Sequence, residues 1–171
     1  MRRKAVQGAF AVISFVWLSL QFGAILGSAA PETPNIPDSL ISGPNYDPSR
    51  QTICRQGCDF DSIAAAIDAT NPLTPAVFSV LDLELSETNI SIDQGKEITI
   101  FGVGASRTKI GAGGSGRIFS IEGGAKVTLR NLSIVDGAVA DGNGGGLLVN
   151  GTGSELVLQF VDLNKNVAQN G

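Results

Sequence analysis

The sequence predicts an all-β solenoid: a parallel β-helix of about three coils with a 29-residue period, opened by a short capping α-helix. Three observations predict it. Short β-prone runs separated by glycine-rich turns fill the chain from residue 77 onward. The sequence falls on itself when it is shifted by 29 residues. One amphipathic helical stretch precedes the first coil, with an apolar face that needs cover.

The N-terminal 30 residues are set apart from the fold. "MRRK" supplies positive charge, "AVQGAFAVISFVWLSLQFGAILG" is an apolar run, and Ser28 and Ala30 stand as the small residues of a cleavage site. That order reads as a secretory signal peptide. The apolar run is also long enough to span a bilayer as an uncleaved anchor. With cleavage, the expected location is secreted or at the cell envelope and outer surface. All 16 acidic residues follow residue 30 and three of the 12 basic ones precede it, so the remainder carries a charge of −7. Such an acidic chain speaks against nucleic acid and against anionic lipid as partners.

Residues 31–52 hold five prolines and little apolar pattern, and are expected to form a linker or arm. The cap follows over residues 53–76. Cys54 and Cys58, the only cysteines, fit a small local disulfide in an exported chain. Two reduced, buried thiols are the alternative. In "DFDSIAAAIDATNP", Phe60, Ile63, Ala64 and Ile67 fall on one helical face, with Asp59 or Asp61 as the cap and Asn71-Pro72 as the stop.

The coils occupy residues 77–171. In the 29-residue alignment, Ile90, Phe119 and Leu148 coincide, as do the turn glycines Gly95, Gly124 and Gly153. Core columns follow: Ile98, Val127 and Leu156; Ile100, Leu129 and Leu158; Val103, Leu132 and Val161; then Ala105, Ile134 and Leu163. Each coil buries its inward face only by stacking on its neighbours. Strands of successive coils then lie parallel, about 4.8 Å apart. A β-sandwich explains short strands but not a fixed period with matched residue types.

Two glycine-rich stretches mimic nucleotide loops. "GNGGGLLVN", Gly142 to Asn150, lacks the Lys-Ser/Thr and the helix that a phosphate loop needs. "GAGGSG", Gly111 to Gly116, matches GxGxxG but runs into the strand-like "RIFSI" rather than a helix. Gly144, Gly145 and Gly146 are therefore expected at a turn between rungs. Asparagine sequons begin at Asn89, Asn131 and Asn150 and read as corner residues.

With cap and coils placed, "GCDFDSIAAAIDA" resembles the N-terminal cap of the pectin-lyase-like right-handed parallel β-helix superfamily. "ISIDQGKEITIFGVGASRTKI" is similar to that family's first coil, and "GGAKVTLRNLSIVDGAVADGNGGGLLVNG" to a later one. The resemblance covers residues 53–171 and implies that the helix plugs the open end of a right-handed solenoid through Phe60, Ile63 and Ile67. The segment "LDLELSET" stands where the family has Pro-Gly-Thr-Tyr. Gly144 to Leu147 also resembles the GGA[ILV] repeat of polymorphic outer-membrane proteins and related bacterial adhesins. In the companion FxxN motif, Leu163 replaces the phenylalanine and Asn166 keeps the asparagine.

The superfamily's enzymes cut pectic polysaccharides in an outer groove. Glycoside hydrolysis needs two positioned carboxylates, and lyase chemistry needs acids for Ca²⁺ and a base. Asp136, Asp141, Glu155 and Asp162 do not align at the coil spacing, Asp136 falls on Lys165, and Arg130 has no acid cluster beside it. Histidine is absent. No catalytic residue, cofactor or metal is therefore expected. The leading expectation is a non-catalytic secreted or cell-surface module, structural or adhesive, forming part of a longer surface protein. The alternative is a truncated or degenerate polysaccharide-active enzyme that still binds carbohydrate. Expected partners are a polysaccharide or a host or cell-surface ligand. The last coil carries no cap in sequence, so further chain or self-association is expected to cover it.

Overall fold

The computed structural model describes Asp47 and residues 49–170. The expected signal peptide or anchor, and most of the arm, lie outside the described residues. The elements are β1 (Gln51–Ile53), α1 (Ile63–Asp68), β2 (Ala76–Val80), β3 (Glu84–Ser86), β4 (Ile90–Ile92) and β5 (Glu97–Phe101). There follow β6 (Lys109–Gly111), β7 (Phe119–Ile121), β8 (Lys126–Val135), β9 (Ala138–Val139), β10 (Leu147–Val149), β11 (Glu155–Asn164) and β12 (Val167–Ala168).

Every strand pairing is parallel. The rungs β1, β2, β5, β8 and β11 stack in that order, which makes about four turns of a β-helix. A second row, β3 and β6, joins the far half of β8. The rows β4-β7-β10 and β9-β12 form the remaining sides. The 29-residue repeat reveals fewer coils because the early spacings are shorter. Ala76 pairs with Ile98 and Glu84 with Lys109, 22 and 25 residues apart.

Ile98, Val127 and Leu156 form one inward column, and Ile100, Leu129 and Leu158 the next. Leu132 pairs with Val161, and Ile134 with Leu163. Two expected alignments shift. Leu147, rather than Leu148, joins Ile90 and Phe119. That choice turns Leu147 onto the core, and a one-residue slip would turn it outward. Val103 is not a column residue and Ala105 does not align with Ile134. The segment between Phe101 and Thr108 is a corner excursion, bridged where the Val103 N–H donates to Thr108 Oγ1 at 2.9 Å. The stack resumes when the Ser133 N–H donates to the Thr108 carbonyl, and Ile110 then fills the place opposite Ile134.

The turn glycines Gly95, Gly124 and Gly153 sit at φ 68°, 78° and 82°, left-handed values that a side chain resists. Gly144 shares that conformation at φ 65°. Gly145 and Gly146 are required for a different reason. A side chain on Gly145 would collide with the Val167 backbone, and one on Gly146 with the Asn166 carboxamide. Asn166 bridges coils there, accepting from the Gly137 N–H and donating to the Ile134 carbonyl, each at 2.9 Å. The glycine pair and the asparagine are thus one packing unit. Corners also recur at 29-residue spacing: Asn131 and Phe160 have φ 55° and 56°, and Asp136 and Lys165 both have φ 54°.

The cap departs from its sequence reading in detail. Cys54 and Cys58 are disulfide-bonded. The helix N-cap is Ser62, in extended conformation with its hydroxyl accepting from the Ala65 N–H, rather than Asp59 or Asp61. Asp59 is engaged elsewhere, accepting from the N–H and hydroxyl of Thr52 at 2.7 and 2.9 Å. Phe60 precedes the helix and packs edge-on against Phe78, with ring centroids 5.8 Å apart. The buried helix face is Ile63, Ala66 and Ile67, while Ala64 is exposed. Those three side chains join the core that runs through the coils. Both helix ends are held by charges from the coils. The Glu87 carboxylate accepts from the Ile63 and Ala64 N–H groups at 2.8 and 3.1 Å, and the Lys96 ammonium donates to the Ile67 carbonyl at 3.0 Å. Both signs suit the helix dipole.

Candidate ligand-binding groove

In each rung, alternate side chains point away from the core. Two outward columns cross the rungs β2, β5, β8 and β11. One runs Val77, Thr99, Thr128 and Val157. The other runs Ser79, Phe101, Arg130 and Gln159. Val77, Thr99, Phe101, Thr128, Arg130 and Gln159 of these columns line a groove of about 970 Å³, while Ser79 is buried and does not line it. Asp47, Ser49 and Arg50, and residues of the turn from Ala69 to Pro75, also line it. The volume lies at the upper end of the range for small-ligand sites.

Phe101 is the centre of the groove floor. The Arg50 guanidinium carbon lies 3.7 Å from its ring centroid and that of Arg130 lies 5.0 Å away. Both are cation–π distances. Arg50 is also tethered, its Nε lying 3.4 Å from an Asp47 carboxylate oxygen. The Ser49 hydroxyl and N–H donate to the other Asp47 oxygen at 2.7 and 3.0 Å. Those hydrogen bonds, the hydroxyl's first, hold the Asp47 carboxyl below the usual carboxylate range, and the Arg50 charge adds to the effect. Among the described residues, the one acid lining the groove is therefore engaged.

Two polar atoms in the Phe101 column are buried without a hydrogen-bond partner: Ser79 Oγ and Arg130 Nε. They flank Phe101 on the neighbouring rungs. Buried polar groups are almost always paired, and of these two only Arg130 belongs to a residue that lines the groove. Sequence reading singled out Arg130 only as an isolated strand cation. It could not pair Arg130 with Phe101 because the 29-residue register was read there for inward residues alone. Arg50 had no sequence signal, since its place over Phe101 depends on the path of the arm.

The acids weighed for catalysis are not brought together by this fold. Glu155 begins β11 opposite Lys126, and Asp162 lies beyond the Phe160 corner opposite Ser133. Asp141 is exposed in the turn between β9 and β10, and Asp136 occupies a corner. Among the described residues, no group of three or more histidine, cysteine, aspartate or glutamate side chains is placed to hold a metal ion. Nor is any described helix long and apolar enough to cross a membrane. A second hollow, on the outer face of β3, β6 and the far half of β8, mixes Lys109 and Lys165 with Glu84 and Asp136. Lys109 is paired with Glu84 at 3.6 Å.

The GxGxxG stretch, Gly111 to Gly116, is the turn from β6 to β7, and "GNGGG" is the turn into β10. Neither opens a helix. No family model matches the chain, and neither a curated protein nor a solved structure matches it.

Proposed function

We propose that this chain is a non-catalytic β-helix module of a secreted or cell-surface protein, which holds a saccharide ligand in the groove over Phe101. The observation that carries the reading is the groove itself. An aromatic floor flanked by two arginines, with the hydroxyls of Thr99 and Thr128 and the amide of Gln159, is a binding surface. Among its described residues, the same surface holds one carboxylate, Asp47, and not the pair that glycosidic bond cleavage needs. The disulfide in the cap supports an oxidising, exported location. A short helix plugging a stack of parallel coils supports kinship with the pectin-lyase-like superfamily. The packing of Gly145 and Gly146 on Asn166 supports a looser likeness to the adhesin repeats.

The test is retention of the full chain on a panel of immobilised neutral and acidic polysaccharides, with product release followed in parallel. Retention without new chain ends supports the proposal. Sustained lyase or hydrolase turnover on any of them overturns it in favour of a polysaccharide-active enzyme. Failure to bind every polysaccharide overturns the ligand assignment.

A further inference from the structure

We infer that Asn150-Gly151 is a self-modification site, where the chain converts its own asparagine to aspartate and isoaspartate, and that the isoaspartate form unclips the turn joining β10 to β11. Asparagine followed by glycine suits this chemistry, because glycine leaves its backbone nitrogen open to approach. The sequence has three such pairs, Asn143-Gly144, Asn150-Gly151 and Asn170-Gly171, the last ending outside the described residues. Asn89 and Asn131 are followed by isoleucine and leucine, and both serve as left-handed corners at φ 56° and 55°. Asn150, expected at a corner, does not take that conformation.

The fold treats the two described pairs differently. The Arg117 guanidinium grips the first, with Nε donating to the Gly144 carbonyl at 2.9 Å and a terminal nitrogen to the Asn143 carbonyl at 2.8 Å. Gly144 is also crowded, since a side chain there would collide with the Leu147 carbonyl. Cyclisation needs the peptide to rotate, and both restraints oppose it. Asn150 and Gly151 are exposed, and a Cβ on Gly151 would meet nothing nearer than 3.8 Å. The Asn150 carboxamide and the Gly151 N–H have no hydrogen-bond partner among the described residues. The Asn150 N–H donates to the Ile121 carbonyl at 2.9 Å, on the side of the residue that the reaction leaves intact. The bond from the Ser154 N–H to the Gly151 carbonyl is long, at 3.4 Å. The Ser154 hydroxyl is the clip. It donates to the Asn150 carbonyl at 2.8 Å and accepts from the Gly124 N–H of the preceding coil at 3.1 Å.

In the reaction, the Gly151 nitrogen gives its proton to water and bonds to the Asn150 Cγ. The bond from Cγ to Nδ2 breaks, and Nδ2 takes up a proton and leaves as ammonia. Water then opens the cyclic imide. Breaking the bond from the Gly151 nitrogen to Cγ gives aspartate on the original backbone. Breaking its bond to the main-chain carbonyl carbon gives isoaspartate, whose backbone runs through Cβ and Cγ. In that form the carbonyl that accepted from Ser154 is a free carboxylate off the main chain, and the turn is a carbon longer. The clip to Gly124 then loses its fixed acceptor.

The experiment incubates the full chain in neutral buffer, folded and in guanidinium chloride, and follows digests by mass over time. Each conversion replaces an amide NH₂ by OH and yields two products of equal mass that chromatography separates. In the folded chain Asn150 should convert about tenfold faster than Asn143, a barrier difference of about 1.4 kcal/mol. In guanidinium chloride the two rates should converge, because the fold is what distinguishes the pairs. Folded Asn150 converting no faster than Asn143, or a rate ratio unchanged by unfolding, overturns the site. Hydrogen exchange on the separated isoaspartate form should show the Gly124 amide exchanging about tenfold faster than in the unmodified chain. Ser154→Ala, which removes the clip without incubation, should give the same loss of protection. An unchanged Gly124 amide in both overturns the unclipping and leaves the modification site standing.

Discussion

Leu129 and Leu158 occupy the same column one coil apart, yet Leu129 is 0% exposed and Leu158 is 39% exposed. The difference is not chemical, since the residue type and the place in the register are shared by the paired strands β8 and β11. Leu129 has rungs on both sides, at Ile100 and Leu158, and Leu158 has a described rung on one side only. Phe160, Leu163 and Val167 continue the same exposed row. At the other end of the stack, α1 lies over the first coil and Ile53, Ile63 and Ile67 are sealed. In a solenoid, burial belongs to the neighbouring rungs as much as to the residue.

The comparison breaks most sharply by placing the same charge at both ends. Leu129→Asp puts an unpaired carboxylate in the core and should cost at least about 4 kcal/mol. Leu158→Asp should cost less than about 1 kcal/mol in the chain studied alone, because water already reaches that position. Urea denaturation of the two variants decides. Equal losses would mean that Leu158 is covered in solution. An unchanged Leu129→Asp would mean that the register is wrong.

At the capped end, the Cys54–Cys58 bond closes a very short loop. Replacing both cysteines by serine should cost about 2 kcal/mol on loop-closure grounds. Protease nicking should then appear first around Gln56. At the other end, Gly146→Ala forces a methyl group into the Asn166 carboxamide and should cost about 1–3 kcal/mol. A tolerated alanine would show that Asn166 is not held by the glycine pair. Phe160 is an ill-suited occupant of its corner, with φ 56° where the preceding coil has Asn131. Phe160→Asn should raise stability by about 1 kcal/mol, since asparagine accepts that conformation and the ring is mostly exposed. Thermal melts resolve both changes.

Much of the coil was legible in the sequence. Ile98 with Val127 and Leu156, and the glycines Gly95, Gly124 and Gly153, repeat at fixed spacing because stacked parallel strands demand it. Where length varies at a corner, the period misleads. Thr108 and Ile110, not Val103 and Ala105, rejoin the stack, because the excursion after Phe101 changes the count without changing the rungs. The groove was less legible. Outward columns carry no hydrophobic periodicity, so Ser79, Phe101 and Arg130 do not announce that they share one line. The helix contacts of Glu87 and Lys96 were hidden for a similar reason. Each reaches a cap residue 24 or 29 positions away, and no local pattern encodes that.

Glu87 provides the finest probe of the contrast between the ends. Its carboxylate is half-buried against the N-terminus of α1. Burial raises its pKa above the usual glutamate range, more than the hydrogen bonds from Ile63 and Ala64 lower it, and the nearby Asp61 charge adds to the rise. The native chain therefore holds this proton to higher pH than the unfolded chain does. Between the two values the native state binds more protons, so this group's contribution falls as pH rises through the window just above the usual glutamate pKa, and returns on acidification. Glu87→Gln removes the titration. Wild type should thus gain stability relative to Glu87→Gln as pH is lowered from neutrality through that window, by a fraction of the total stability. Urea midpoints of the two proteins across that range test the sign, and parallel curves would sink the assignment. Hydrogen exchange sharpens the location. The pH-dependent difference should appear in α1 and the first rungs and be absent from β11, because Glu87 ties α1 to the coils at that end.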